Sequence, residues 1–348
     1  MLFNKSKICC ISDIHIGVHQ NNPLWHDITI NWASWLKKEL VSKGIKDIMI
    51  SGDLFHYRDE IAVNTIQVVT KIMNMWKNFN IVLLVGNHDS YYKDRVDVNS
   101  LSILSGWSNI TVFERPEQIE VFGKSIQFCP WGTRAEELVK SDIMFGHFEI
   151  ESFKMNQYKV CTEGIRSRDL LDHSPLIITG HFHLRDERTY KDGTVLYLGN
   201  PFQMDFGDVD SDKGYYILDI KNTDFKFYKN NISPRHKKIF LSKLVKYPGI
   251  TDEVRDMFRN NIVKFIVDKH ISPDEIDLLL SKFSELDPIT INTDYDINFN
   301  KFGIDEYDDV SISGIDIAEA IEEFINMLDV ENKQHIIETT IDLYQRSK

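Results

Sequence analysis

Five short apolar runs in this chain each stop at a polar cluster built from Asp, Asn, His and Gly. They are Ile8–Ser12 before Asp13-Ile14-His15, Ile48–Ser51 before Gly52-Asp53, Ile81–Val85 before Gly86-Asn87-His88-Asp89, Ile143–Phe145 before Gly146-His147, and Leu176–Thr179 before Gly180-His181-Phe182-His183. Runs of this length read as buried strands. The first three alternate with helical patterns. Asp27–Ser42 sets Ile28, Trp32, Trp35, Leu36 and Leu40 at three- and four-residue steps, and Ile61–Phe79 carries a stripe through Thr65, Val68, Val69, Ile72, Met75 and Trp76. A βαβαβ beginning predicts a largely parallel, helix-covered sheet. Ligands of open α/β sheets gather at the carboxyl ends of strands. Five converging ends would therefore bring two carboxylates, one amide and at least four imidazoles into one pocket.

The middle of the chain shortens into strands at Ile119–Phe122, Ser125–Phe128, Val195–Leu198 and Tyr215–Asp219, with hairpin turns at Phe122-Gly123-Lys124 and Lys191-Asp192-Gly193. This predicts an α/β fold of two stacked, mixed β-sheets with helices outside. After Pro248, strands at Val263–Asp268 and Ile289–Tyr295 flank a helix at Pro273–Glu285, a small α+β cap. Two amphipathic helices, Ile315–Leu328 and Asn332–Tyr344, close the chain. The expected domains are a catalytic domain over 1–240, a cap over 241–300 and a helical tail over 301–348.

Mixed imidazole and carboxylate donors suit Mn, Fe or Zn better than Ca or Mg. No cysteine stands among them, and Cys9, Cys10, Cys129 and Cys161 show no CxxC spacing, so a structural zinc site is not expected. Two ions roughly 3.5–4 Å apart clamp both the attacking and the leaving oxygen of a phosphoryl centre. Asp53, alone on its strand end, is the natural shared carboxylate. Each motif taken singly reads as an ordinary turn; five in order do not.

Charge bears on the substrate. The chain has 53 acidic and 40 basic side chains, a net of −13, which ordinarily argues against a nucleic-acid partner. The excess is uneven, because residues 301–348 hold 12 acids and 4 bases, leaving −5 for the first 300. Phe225–Ile250 contains no acid and seven bases, among them Lys226, Lys229, Arg235, Lys237 and Lys238. That stretch reads equally as a solvated edge strand or as a phosphate- or partner-facing patch. No apolar run is long enough to span a membrane, and the opening residues are not expected to act as a signal peptide. The expected location is a reducing, bacterial-type cytoplasm, with no membrane partner.

The motifs Asp13-x-His15, Gly52-Asp53, Gly86-Asn87-His88-Asp89, Gly146-His147 and Gly180-His181-x-His183, in this order, resemble the calcineurin-like metallophosphoesterase family. Gly52-Asp53-Leu54-Phe55-His56, and Tyr197 to Gln203 followed by Lys213-Gly214-Tyr215, resemble its SbcD/Mre-type DNA repair nuclease branch, which usually has Gly-Ser where this chain has Gly199-Asn200. The short chain and compact tail are similar to the phage members of that branch. The resemblance covers residues 8 to about 240.

It implies the four-layer metallophosphoesterase fold and two divalent ions, Mn2+ first and Mg2+ as the alternative. One ion would be held by Asp13, His15, Asp53 and His183, the other by Asp53, Asn87, His147 and His181. His88, beside a ligand without being one, is assigned to charge stabilisation or protonation of the leaving oxygen, with Asp89 as the group that orients it. His56 would help place the phosphate; its plain reading is a loop histidine. The resemblance further implies exonuclease action on duplex DNA and endonuclease action on single strands or hairpins. It implies an SbcC-type coiled-coil ATPase partner on the tail helices and a homodimer through the helices at 61–79 and 98–107. The competing readings are another metallophosphatase or nucleotide phosphodiesterase, and a non-catalytic scaffold that regulates the ATPase. His19, His26, His173 and His236 match no motif and are read as structural.

Overall fold

The structure is a computed structural model that describes residues 2–295 apart from 94, 157, 158, 245, 248 and 270, together with 322, 325, 326 and 332–346. Two units separate, 1–295 and 296–348.

The first sheet uses β1 (Lys7–Ile11), β2 (Asp47–Ile50), β3 (Asn80–Leu84) and β4 (Ile110–Phe113) in parallel. The second contains β5 (Glu117–Val121), β6 (Lys124–Cys129), β7 (Ile143–His147), β8 (Leu176–Gly180), β9 (Asp186–Tyr190) and β10 (Gly193–Tyr197) in the order β5-β6-β7-β8-β10-β9. The chain then returns to the first sheet with β11 (Gly214–Asp219) and β12 (Asp224–Lys229), both antiparallel to their neighbours, giving β12-β11-β1-β2-β3-β4. Both sheets are mixed, as expected.

Successive residues of a strand point to opposite faces, and here each face has its own core. Cys10, Met49 and Val82 point between the sheets and meet Phe128, Phe145 and Ile178. Cys9, Ile48 and Ile81 point outward under the helices Pro23–Ser42 and Val63–Met75, against Trp32, Leu36, Val69 and Ile72. Met144, Ile177 and Val195 face the other outer side with Phe153 and Phe182. Burial on both faces is why these strands read as unbroken apolar runs.

Local chemistry moved several boundaries. The first helix starts at Pro23, four residues before the expected Asp27. Asn22 accepts a hydrogen bond from the Leu24 amide at 2.9 Å and Pro23 occupies the first turn, a strong start signal. The expected helix at 98–107 is only the 3-10 turn Ser100–Leu104. There Leu101 and Leu104, three apart, are buried while the Ser102 hydroxyl donates to the Asn99 carbonyl at 2.9 Å, and such local serine bonds compete with an α-helix. Strands β4, β9 and β12 were not read from the sequence; β4 is only four residues long, and the Asp-Glu-Arg-Thr-Tyr of β9 shows no apolar period.

The cap begins earlier than expected, at β13 (His236–Phe240). It is a parallel three-stranded sheet in the order β13-β14-β15 with β14 (Ile262–Val267) and β15 (Thr290–Tyr295), connected through the helices Asp252–Phe258 and Pro273–Ser284. Ser272 and Glu275 cap the latter reciprocally. In the second unit the helix Lys333–Arg346 matches the expected Asn332–Tyr344 to within two residues. The expected helix at 315–328 lies almost wholly outside the described residues. No described helix is long and apolar enough to cross a membrane.

Trp32 is fully buried, edge-on to Trp76 at 5.9 Å and tilted against Phe202 at 5.6 Å between the ring centroids. Trp32→Ala should lower the urea-unfolding free energy by about 3–5 kcal/mol; a loss below about 1 kcal/mol would show that this layer does not carry the fold.

Candidate metal centre

The carboxyl ends of β1, β2, β3, β7 and β8 meet at one edge of the stacked sheets, and all seven expected donors lie there. Asp13, His15 and His183 form one group whose donor atoms all lie within 4.8 Å of one another. Asp53, His147 and His181 form a second on the same criterion. The Asn87 amide oxygen joins the second group, 2.9 Å from His147 Nε2 and 2.8 Å from His181 Nδ1. Asp53 Oδ2 lies between the groups, 3.3 Å from His147 Nε2 and 3.6 Å from His15 Nε2. His15 in turn meets His183 at 3.0 Å, Nε2 to Nε2.

The backbone is bent to achieve this. Asp13, His15, Asp53 and His181 have φ of 54°, 48°, 54° and 96°, a left-handed region that non-glycine residues seldom occupy and that clusters at functional sites. Neighbouring glycines supply clearance. A Cβ on Gly86 would stand 2.1 Å from Asp53 Oδ1, and one on Gly52 2.2 Å from His147 Nδ1. Any side chain there would push the donors apart.

Electrostatics define what the pocket wants. His147 Nδ1 donates to the Ser51 carbonyl at 2.6 Å, which leaves Nε2 as a lone pair facing the oxygens of Asp53 and Asn87. Acceptors then face acceptors, and a cation or a proton must intervene. Burial would lower the His147 pKa, but the Asp53 carboxylate overrides it and pushes it up to about 9. Burial would likewise raise Asp53, yet His147 holds it well below the usual carboxylate range. Burial pushes Asp13 and Asp89 up to about 7. Burial holds His15 and His183 below the ordinary imidazole value and, helped by His147, takes His181 down to about 3. Imidazoles held neutral by burial at His15, His181 and His183, beside the carboxylates of Asp13 and Asp53, are a donor set for divalent cations.

His88 and His56 lie beside the donors. The His88 ring centroid is 4.7 Å from that of His15, and the ring stacks on His56 at 5.4 Å. Its Nδ1 donates to the His56 carbonyl at 2.6 Å, so Nε2 is the nitrogen left for a ligand. The expected partnership of His88 with Asp89 is not found. Asp89 points into the protein and accepts from the amides of Leu54 (3.3 Å), Phe55 (3.0 Å) and Gly86 (3.0 Å). It ties the second and third strand ends together, and the main chain of His56 does the orienting. His19, His26 and His173 bond instead to the Met204 carbonyl, Thr65 and the Asp169 carbonyl, while His236 packs on Trp25 and Phe206.

The basic stretch divides between two sheets. Lys226 and Lys229 lie on β12, whereas Lys237 and Lys238 lie on β13. Asp212, from outside the stretch, pairs with Lys229 at 2.6 Å and Arg235 at 3.5 Å.

A family model described as calcineurin-like phosphoesterase matches residues 6–210. The chain belongs to that family. It is thus a metal-dependent phosphodiester hydrolase, with a fold of two mixed sheets flanked by helices. This phosphoesterase is 28% identical over 295 residues to exonuclease subunit 1 of Enterobacteria phage T4, covering 81% of each chain. It is 23% identical over 253 residues to the SbcD component of the SbcCD nuclease of Staphylococcus epidermidis, covering 62% of this chain and 66% of the relative.

Sequence reading missed two supports of the phosphoesterase site. Buried Lys213 donates to the His183 carbonyl at 2.7 Å and pairs with Asp208 at 2.5 Å. Trp131 lies 5.0 Å from the His181 ring. The adjacent Lys213-Gly214 and Trp131-Gly132 pairs were visible, but nothing local tied either one to a histidine so distant along the chain.

Asp53→Asn removes the carboxylate that lies between the two groups. Mn2+ at a hundredfold its Kd stabilises a binding protein by about 2.7 kcal/mol. Calorimetry should show that metal-induced rise in Tm at least halved in Asp53→Asn, with the metal-free circular dichroism spectrum retained. An undiminished rise would exclude Asp53 as the shared ligand.

Proposed function

We propose that this chain is the nuclease subunit of an SbcCD-like DNA recombination or repair complex, acting as an exonuclease on duplex DNA and as an endonuclease on single-stranded or hairpin DNA. The observation that carries the reading is the pair of donor groups with Asp53 between them and His88 Nε2 left open beside them. Asp13, His15, Asp53 and His183 would hold one divalent ion and Asp53, Asn87, His147 and His181 the other, Mn2+ being favoured over Mg2+ by the imidazole donors. Bound there, the ions would supply positive charge to the phosphodiester and lower the pKa of water.

The chain's own groups do the rest. His88, held through Nδ1 by the His56 carbonyl, presents Nε2 to stabilise charge or to protonate the leaving oxygen. His56, partly buried and 3.4 Å from His15 between the Nδ1 atoms, helps seat the phosphate. Asp89 keeps the two strand-end turns in register.

DNA as substrate is supported by the two relatives, whose names are those of nuclease subunits. The same names support a partner subunit, proposed here as a coiled-coil ATPase on the acidic tail, 301–348. The cap, from His236 to Tyr295, would face DNA, with Lys237 and Lys238 on its first strand and Lys226, Lys229 and Arg235 on the segment before it. A homodimer through 61–79 and 98–107 is supported by exposed Val63, Ile66, Val98 and Ile103.

His88→Ala should reduce Mn2+-dependent cleavage of end-labelled duplex and single-stranded DNA by about 10²–10⁴-fold while calorimetric Mn2+ binding persists. Wild-type hydrolysis of small phosphomonoesters with no cleavage of DNA would sink the nuclease reading. Deleting residues 301–348 should abolish capture of the purified ATPase subunit and leave metal-dependent cleavage; unchanged capture would refute the tail assignment.

A further inference from the structure

The geometry points to a stacking subsite for an unpaired nucleotide in the cleft beside Trp131, next to the phosphodiester that the metal centre cleaves. The inference rests on the nuclease reading and specifies which substrate the site grips directly.

The cleft has a volume of about 410 Å³ and runs between the loop 95–97 and the loop 130–134, over a floor of Glu114, Arg115 and Pro116. That volume falls in the usual range for ligand clefts, about 300–1,000 Å³. Trp131 lines it, with its ring tilted 36° to that of the donor His181, 5.0 Å away, and edge-on to the donor His147 at 6.1 Å. A group lying on the indole would therefore be adjacent to a group held by the donors.

Trp131 is built as a fixed platform. Its backbone amide donates to the Val85 carbonyl at 2.8 Å, one residue before Gly86, and its indole N–H donates to the Lys93 carbonyl at 3.1 Å. With both donors satisfied, what the half-buried side chain offers outward is an apolar ring. A rigid aromatic face costs little to order and takes any base, because every base has a π face.

Charge within the cleft says that stacking is the main attraction. Arg95, Arg115 and Arg134 line it, but so do Asp97, Glu114 and Glu137. Arg95 is held by Asp97 at 2.9 Å and lies over the Tyr92 ring at 4.2 Å, and Arg134 pairs with Glu136 and Glu137. Arg115 is exposed and has no ion pair among the described residues, leaving one guanidinium for one backbone phosphate. A duplex would keep its bases stacked on each other and out of reach, so the cleft favours a single strand.

The test uses the full chain with Mn2+ and two substrates. One is a single-stranded 20-mer. The other is bis(p-nitrophenyl) phosphate, a diester with neither a base nor a neighbouring phosphate. Trp131→Leu should reduce kcat/KM on the 20-mer by about ten- to a hundredfold, a loss at least tenfold larger than on the small diester. Trp131→Phe should recover most of it, and Arg115→Ala should flatten the salt dependence of 20-mer binding by about one phosphate contact. Equal losses on the two substrates would make Trp131 a mere support for His181 and overturn the subsite, as would an unimpaired 20-mer reaction in Trp131→Leu. A wild type that cleaves the diester but not the 20-mer would instead remove the nuclease reading, and the subsite with it.

Discussion

One buried carboxylate organises this molecule. Asp53 is 1% exposed, and one of its oxygens faces imidazole nitrogens from two different sheets while the other accepts the His88 amide at 2.8 Å. A buried anion is tolerated only when it is compensated. Here His147 faces the carboxylate, which pushes the imidazole pKa up, and the neighbouring acceptors make the same place fit for divalent cations. The left-handed backbone at Asp13, His15, Asp53 and His181 and the close approach of Gly52 and Gly86 follow from packing so many donors around that oxygen.

The layers exist to bring those donors to one edge. Parallel pairing of β1, β2 and β3 sets three strand ends side by side, and the aromatic core between the sheets, with Phe113 on Phe128 at 4.2 Å, seats β7 and β8 opposite. Rigid strands hold such constellations more precisely than loops do. Around them a buried polar frame resists relaxation: Asp89 gathers three amides, Ser12 donates to the Ser51 carbonyl, and Lys213 with Asp208 fixes the His183 main chain. Such buried pairs contribute little net stability; their effect here is positional.

The acidic balance that first argued against DNA loses its force once it is located. Most of it lies in the tail, and two divalent ions would add about four positive charges at the site. The basic stretch, in contrast, proved weaker than its composition suggested, because Asp212 reaches Lys229 and Arg235 from a different segment. Charge counted along a chain and charge felt at a surface differ whenever folding brings in a counterion.

What the sequence by itself determined was the set of donors. Alternating apolar strands and helices specify a parallel sheet, parallel sheets collect function at one end, and each strand end was marked by its own Asp, Asn or His. Unbroken apolar runs and three- to four-residue steps also placed the inner strands and long helices to within a few positions. The polar edge strand β9 escaped notice because its half-exposed positions carry no apolar period. Only the tertiary structure decided the partners: that Asp89 faces inward to amides while His56 holds His88, that Lys213 buttresses His183, and that Trp131 lies against His181. Local patterns report a residue's chemistry and its backbone. Which distant groups a side chain meets depends on how two sheets are stacked, and that is a property of the whole core.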